Sequence, residues 1–420
     1  MPAAADPIAP VVVIGGGFVG LAAALQLQMA GHKVMLVDRG EPERAASFGN
    51  SGQFAVGEVV PLSVPGVLFK VPKWLLDPLG PLTIRWRDLP MLTPWLLRFV
   101  AASRPARVAA ISRSMAELCG RMHRDYAPLL ELPGARAIIR DMNCIKLYRT
   151  RADWEAEGKT WAMREKAGLE YELLDAAALK SLDPAISDHS RFGVVFVGRT
   201  YISNPLRMLQ AFAAALTAKG GEIVTGEVSG FEVTGGRLHA VRLQDGRMLP
   251  ASAAIIAAGT ASRPLCRLLG DNVPLIAERG YHFMLPNPQV EVRRSYTLGW
   301  AGMGIVPMEH GLRLAGTVEL ADPAAPPNFA RAERLFENAC KVFPGLSRDG
   351  ASQWYGNRPS LPDSLPVIDR ASKVDNVIYA FGHGHMGVGW AATTGKAVAA
   401  LHAGTRPDID MAPFKVTRFG

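Results

Sequence analysis

Three groups of residues in this 420-residue chain have types and spacings that could do chemistry. The first is Gly15-x-Gly17-x-x-Gly20, with Asp38 further on. Glycine at the first position permits a tight turn, at the second lets backbone approach a pyrophosphate, and at the third lets a helix pack closely on a strand. A helix opening there presents free N–H groups and a positive dipole end to phosphates. Asp38 stands where a carboxylate accepts hydrogen bonds from a ribose diol. This spacing serves NAD and FAD alike. The second group is Gly382, His383, Gly384, His385, Met386 and Gly387, where glycines allow backbone to approach a ligand edge. Its two histidines have no third ligand at suitable spacing, so no metal site is expected. The third is Arg358, whose planar guanidinium, like any arginine's, can grip a carboxylate with two parallel hydrogen bonds; the motif Gly356-Asn-Arg358-Pro is what singles it out. Tyr281 and His282 could hydrogen-bond a carboxylate or an amine; the plainer alternative is a pair of half-buried strand residues.

These groups need elements to position them. Residues 11–14, Val-Val-Val-Ile, read as a buried parallel strand. A helix over 21–30 ends at Gly31, and a second strand over 33–37 runs into Asp38. The pattern predicts helices over 105–130, 152–168, 205–218, 330–343 and 388–400. Strands are expected at 222–224, 253–258 (followed by Gly259) and 377–380, with a hairpin over 228–233 and 237–243. Residues 281–285, 294–300 and 312–318 look like strands of an antiparallel sheet. The parallel-strand signals are far apart in sequence. The expected fold is therefore α/β (α+β): a Rossmann-type nucleotide domain assembled from separated segments 1–60, 190–265 and 360–420, with a substrate domain on an antiparallel sheet inserted from 61–189 and 266–359.

Composition narrows the class. Apolar residues make up 49% and charged ones 20%, enough for a sizeable core and unlike a disordered polyelectrolyte. Basic residues number 46 against 38 acidic, a formal net charge of +8. That suits an anionic small ligand or an anionic membrane surface as well as nucleic acid and decides nothing alone; the motifs, not the charge, leave nucleic acid out of the expected partners. Cys119, Cys144, Cys266 and Cys340 are too widely spaced for a zinc or redox motif and read as reduced core residues of a cytoplasmic protein. The uncharged stretch 7–31 lacks a basic flank and carries Gly15, Gly16, Gly17 and Gly20, so it is read as the nucleotide site rather than a membrane span. Residues 61–100 mix Trp74, Trp86 and Trp95 with Leu, Pro, Lys and Arg. They read either as an interfacial membrane contact or as a cover over the substrate pocket.

With these motifs in hand, the chain resembles the D-amino acid oxidase superfamily of flavoproteins, most closely the bacterial FAD-dependent D-amino acid dehydrogenases. The resemblance covers nearly all of the chain. It is carried by the glycine motif with Asp38, by Ser47-Phe-Gly-Asn-Ser-Gly-Gln53 (like S-x-x-N-A-G-Q), and by Arg279-Gly-Tyr281. Gly356-Asn-Arg358-Pro-Ser-Leu-Pro-Asp363 (like G-L-R-P-x-T-P-D) and Gly382-His-Gly384 complete it. Departures are Asp38 for the commoner glutamate, Ser51 for alanine, Asn357 for leucine, Leu361 for threonine, Ser364 for glycine and an extra His385.

The resemblance implies FAD and oxidation of an amine beside a carboxylate. Arg358 would hold the carboxylate, with Tyr281 and His282 beside it. Gly15, Gly17, Phe18, Val19, Gly20, Asp38 and Arg39 would hold the nucleotide. Ser47, Asn50, Ser51, Gly52 and Gln53 would line the flavin ring or its ribityl chain. Val228 would meet the adenine, and Ala258 and Gly259 would close over the pyrophosphate. Gly356 and the run from Gly382 to Gly387 would lie along the ring, where a helix N-terminus faces the charge that gathers on reduction. The implied mechanism is hydride transfer from the α-carbon to flavin N5, with loss of the substrate's own amine proton, rather than a strong protein base, setting an alkaline requirement. A D-amino acid is the expected substrate; a cyclic imino acid such as D-proline or cis-4-hydroxy-D-proline is the alternative. An NAD-linked oxidoreductase and a non-catalytic flavin subunit are the alternatives of another class. A quinone or respiratory-chain acceptor and a peripheral contact at the inner face of the cell membrane are the further expectations.

Overall fold

The computed structural model describes residues 9–66, 69, 72, 76–198 and 200–420. Along the chain, the elements that build the site are β1 (Val11–Ile14), α1 (Phe18–Met29), β2 (Val34–Asp38) and α2 (Pro105–Leu130). They continue with β3 (Glu222–Thr225), β4 (Ala253–Ile256), β5 (Ile276–Leu285), β6 (Gly311–Leu320) and β7 (Ser352–Ser360). β8 (Val367–Arg370), β9 (Val377–Phe381) and α3 (Gly387–His402) complete them.

β1 is four β-branched residues, all buried, as a strand covered on both faces requires. α1 is Ala- and Leu-rich and apolar almost all round, because the sheet lies on one side and α3 on another. Gly395 of α3 lets the two helices touch; a Cβ there would lie 2.7 Å from the Ala22 carbonyl oxygen. The sheet order is β8-β9-β4-β1-β2-β3. β9, β4, β1, β2 and β3 pair in parallel, and β8 closes the edge antiparallel to β9. Strand order reverses between β1 and β4, so the crevice beyond their carboxyl ends is where this architecture binds ligands.

Among the described residues the second sheet has nine strands. β7, β5 and β6 lie side by side, followed by Met303–Met308, Ser295–Leu298, Cys144–Tyr148, Phe192–Phe196 and Tyr171–Leu174. Its orientation is mixed rather than purely antiparallel: Ser295–Leu298 runs parallel to Cys144–Tyr148, and Leu82–Ile84 parallel to β6. The helix Ala330–Val342 packs over it with one apolar face.

Two segments sit differently from their expected grouping. α2 shares its core with α1 and α3. Its buried Asp125 accepts from Thr393 Oγ1 at 2.8 Å and Lys396 Nζ at 2.9 Å. Segment 190–265 begins with Phe192–Phe196, which pairs in the larger sheet. The helix expected over 152–168 is broken into Arg151–Glu155 and Gly158–Lys166. Cys119, Cys144 and Cys266 are buried and Cys340 half-buried, all unbridged. Among the described residues, no helix is long and apolar enough to cross a membrane, and no cluster of three metal-ligating side chains occurs.

Candidate active site

One cavity of about 1380 Å³ runs from the carboxyl ends of β1, β2 and β4 to the face of the larger sheet at β5, β6 and β7. At the nucleotide end its wall is backbone. Gly15 has φ +114°, and a Cβ there would lie 2.4 Å from the Ala257 carbonyl oxygen. A Cβ on Gly20 would fall 1.8 Å from the Gly15 carbonyl oxygen, so this glycine seats α1 on β1 and does not itself line the cavity. Gly17 caps α1, and Ser47 Oγ accepts from Phe18 N at 3.2 Å. The Asp38 carboxylate accepts from Gly16 N at 2.7 Å and Gly40 N at 2.9 Å, which fixes it at the end of β2. Phe18, Val19, Arg39, Val228, Ala258 and Gly259 line the same end.

The middle is formed by the 47–53 loop and the turn before α3. Asn50 bonds back to the Ser47 carbonyl, and its Oδ1 accepts from Gly52 N at 2.6 Å. Arg313, buried on β6, donates to the Phe48 and Asn50 carbonyls at 3.1 and 2.7 Å and so carries the loop on the larger sheet. Burial lowers its guanidinium to about 10. Asn50, Ser51 and Gln53 line the cavity, while Gly52, at φ +68°, packs against the Ile202 carbonyl. Gly384, His385, Met386 and Gly387 line it as well. Gly382, at φ +87°, faces Leu361 instead. The His383 ring is buried, bonded through Nε2 to Thr394 Oγ1 at 2.9 Å, and burial drives it down to about 3. Gly356 lines the cavity and leaves room for the Trp354 ring, which a Cβ would meet at 2.1 Å.

At the far end the wall is side chains. Arg358, on β7, lines the cavity with its side chain 21% exposed. Its Nη1 donates to Glu278 Oε1 at 3.3 Å and to the Thr317 carbonyl at 3.1 Å. Gly280 makes space for it: a Cβ there would sit 2.2 Å from Arg358 Nη2. Glu278 also pairs with His385 Nε2. Burial pushes this carboxyl up, but His385 and Arg358 outweigh burial and hold it down at about 2. Tyr281, Phe329 and Tyr355 form a three-ring cluster with centroids 6.0 to 6.4 Å apart. The Tyr281 hydroxyl donates to Glu319 at 2.5 Å and accepts from Asn328 N at 2.9 Å. Burial and Glu319 push it up to about 12, so it stays a neutral phenol, tied to these two partners.

His282 is corrected by the structure. Alternation on β5 turns it away from Tyr281 and out of the cavity. It bonds the Gly49 carbonyl at 3.1 Å, stacks on Trp354 at 4.9 Å, and is held at about 3 by burial and Arg313. Glu278, Arg313 and Phe329 were not singled out from sequence. The available signal for Glu278 was a Glu-Arg pair inside the mostly apolar strand 276–285.

The wall is thus glycine backbone at one end, as a nucleotide-binding crevice requires, and a guanidinium with its carboxylate partner at the other. The family model described as "FAD dependent oxidoreductase", DAO, matches residues 10–401, and the chain belongs to that family. FAD is therefore its cofactor. The chain is 38% identical over 97% of its length to a D-amino-acid oxidase of Bradyrhizobium diazoefficiens, covering 98% of that protein. It is 30% identical over 98% of its length to a D-amino acid dehydrogenase of Rhizobium johnstonii, covering all of it. A solved glycine oxidase from Geobacillus kaustophilus shares the fold, with TM-score 0.72, 20% identity, and coverage of 97% of this chain and 98% of that one.

Proposed function

We propose that the chain carries out FAD-dependent oxidative deamination of D-amino acids, yielding a 2-oxo acid and ammonia after imine hydrolysis. The observation that carries this reading is Arg358, a cavity-lining guanidinium steadied by a buried carboxylate, at the opposite end from the nucleotide cradle. The two named relatives support an amino acid as substrate.

Bound FAD supplies the acceptor for the hydride leaving the substrate α-carbon, at its N5. The protein's own residues bind and orient. Gly15, Gly17, Asp38 and Gly259 would hold the nucleotide, and the 47–53 loop and the Gly384–Gly387 turn the ring. The N-terminus of α3 directs its dipole toward the cavity, favouring negative charge there. Arg358 takes the substrate carboxylate, and the Tyr281, Phe329 and Tyr355 rings receive the side chain. An anaerobic screen of the yellow protein tests this: D-amino acids bleach the flavin and L-enantiomers do not. Bleaching by D-proline or cis-4-hydroxy-D-proline alone would replace primary amines by cyclic imino acids.

The acceptor belongs to the same proposal. Leu76, Trp86 and Leu97 are 75%, 61% and 66% exposed, large apolar side chains that a bilayer surface near membrane quinones would take up. Trp95 is not part of it, being buried and stacked on Phe99 at 5.1 Å. Lys70, Lys73 and Trp74 lie outside the described residues. Residues 78–84 also serve the substrate half, where Arg331 donates to the Pro78 and Gly80 carbonyls at 2.6 and 2.9 Å. Stopped-flow reoxidation faster with a quinone analogue than with oxygen, and salt-sensitive sedimentation with anionic vesicles, are the expected results.

A further inference from the structure

Arg279, on β5, is bonded in one way or another to all three members of the ring cluster. It is 2% exposed and stands outside the cavity wall. Its guanidinium lies 5.2 Å from the centroid of the Tyr355 ring, within reach of a cation–π contact. Its Nη1 pairs with Glu319 Oε2 at 3.4 Å, the same oxygen that accepts from the Tyr281 hydroxyl at 2.5 Å. It also binds the segment 321–328, Ala-Asp-Pro-Ala-Ala-Pro-Pro-Asn, which leads into Phe329. Nη2 donates to the carbonyls of Ala325 at 2.8 Å, Pro323 at 3.3 Å and Asp322 at 3.4 Å, and Nη1 donates to that of Pro326 at 3.2 Å.

The sequence explains why this segment needs an outside donor. Pro323, Pro326 and Pro327 have no backbone N–H, so 321–328 cannot close a regular hydrogen-bonded element of its own. The planar fork of one arginine reaches four of its carbonyls at once, more than the three donors of a lysine ammonium could serve. At the far end Asn328 N donates to the Tyr281 hydroxyl at 2.9 Å, so the segment is tied to β5 at two places. Phe329 and Tyr355 are each 37% exposed and line the cavity, which leaves apolar ring surface for a ligand to cover. Of the residues that β5, β6 and β7 contribute to the cavity wall, Arg358 alone is charged. Once a substrate carboxylate has taken Arg358, a charged side chain would find no partner on these strands.

We propose that Arg279 is a positioning residue that sets which amino acid side chain the site accepts, and that the rings it holds select a bulky apolar one. This rests on the amino acid reading above and adds a substrate class to it. Arg358 meets the part common to every amino acid; the rings meet the part that differs. Arg279 acts on the rings by three routes: directly on Tyr355, through Glu319 on Tyr281, and through the 321–328 segment on Phe329. Releasing its guanidinium lets Phe329 and Tyr355 separate, while Arg358 keeps its own partners, Glu278 and the Thr317 carbonyl. Selectivity for the side chain is therefore separable from the grip on the carboxylate.

The test compares FAD-loaded wild type, Arg279→Lys and Phe329→Ala on D-phenylalanine and D-alanine. Arg279→Lys keeps the charge beside Glu319 and loses the fork. Phe329→Ala leaves the buried pair intact and decides the matter should Arg279→Lys fail to fold. Each variant is expected to raise KM for D-phenylalanine about tenfold or more relative to that for D-alanine, with kcat and KM for D-alanine unchanged. Binding of phenylacetate and of acetate, followed by the change each causes in the flavin absorbance, reads the same wall without turnover. Wild type should favour phenylacetate, and both variants should lose that preference while holding acetate as before. Amide hydrogen exchange at Ala325 and Asn328 should quicken in Arg279→Lys. An unchanged ratio of the two KM values, equal losses on both substrates, or a wild type that binds acetate as tightly as phenylacetate would overturn this proposal alone. Failure of every amino acid to reduce wild-type flavin would overturn the functional reading instead, and the phenylacetate comparison would still decide whether the rings select apolar groups.

Discussion

At the nucleotide end of the cavity the wall is main chain, and Gly15 and Gly20 sit so close to neighbouring carbonyls that no Cβ fits. At the substrate end the wall is side chains bonded to side chains: Arg358 to Glu278, Glu278 to His385, Tyr281 to Glu319, and Arg279 to Glu319. The two ends should fail differently. A backbone cradle fails by steric exclusion and loses its ligand. A charge network fails electrostatically, losing turnover while the cofactor stays in place.

The largest effect should come from the glycine that seats α1 behind the cradle. Gly20→Val puts a branched carbon where even a Cβ lies 1.8 Å from the Gly15 carbonyl oxygen. It should cost about 3 kcal/mol or more by forcing α1 off β1 and give colourless protein, as read by absorbance and thermal melting. A yellow, fully loaded variant would break the contrast. Next is Arg358→Leu, which should keep the flavin and lose turnover. Removing one partner of a buried charge pair costs about 2–5 kcal/mol, roughly thirty- to several-thousand-fold in kcat/KM.

A smaller effect separates the network from the cradle by pH. Glu278 is held at about 2 against an ordinary 4.5, chiefly because His385 and Arg358 outweigh burial. The unfolded chain therefore takes up the proton first, so this contribution is complete above pH 4.5 and fades as pH falls towards about 2. The gap in Tm between wild type and Glu278→Gln should be widest at neutral pH and close on acidification. A gap independent of pH would contradict the ionised state of Glu278. The smallest effect is expected at His282, which stands behind Trp354 and outside the cavity. His282→Phe should lower stability by about 1 kcal/mol through the lost bond to Gly49 and leave turnover unchanged.

The same contrast explains what could be read before the fold was known. The spacing of Gly15, Gly17 and Gly20 is local, and each glycine has a backbone reason within one β-α-β unit, so the cofactor end was legible. Arg358 was reached through its motif, yet 352–360 was not seen as a strand. Gly356, Asn357 and Pro359 are poor strand formers, and pairing with β5 imposes the extended backbone. Glu278 and His385 are brought together only by that pairing and by the turn after β9, which no local pattern encodes. Tyr281 and His282 looked equivalent as neighbours, but strand alternation sends one to the cavity wall and the other to the loop behind it. The helix expected over 152–168 is interrupted where Glu157 and Gly158 begin a new turn.

The most direct measurement is an anaerobic titration of the purified, FAD-loaded protein with matched D- and L-enantiomers, followed at the flavin absorbance, alongside Arg358→Leu. The account predicts stoichiometric bleaching of wild type by a D-amino acid, none by its L-enantiomer, and an Arg358→Leu flavin that stays oxidised over the same period. Equal bleaching of wild type and Arg358→Leu would contradict it, because the carboxylate would then be held elsewhere.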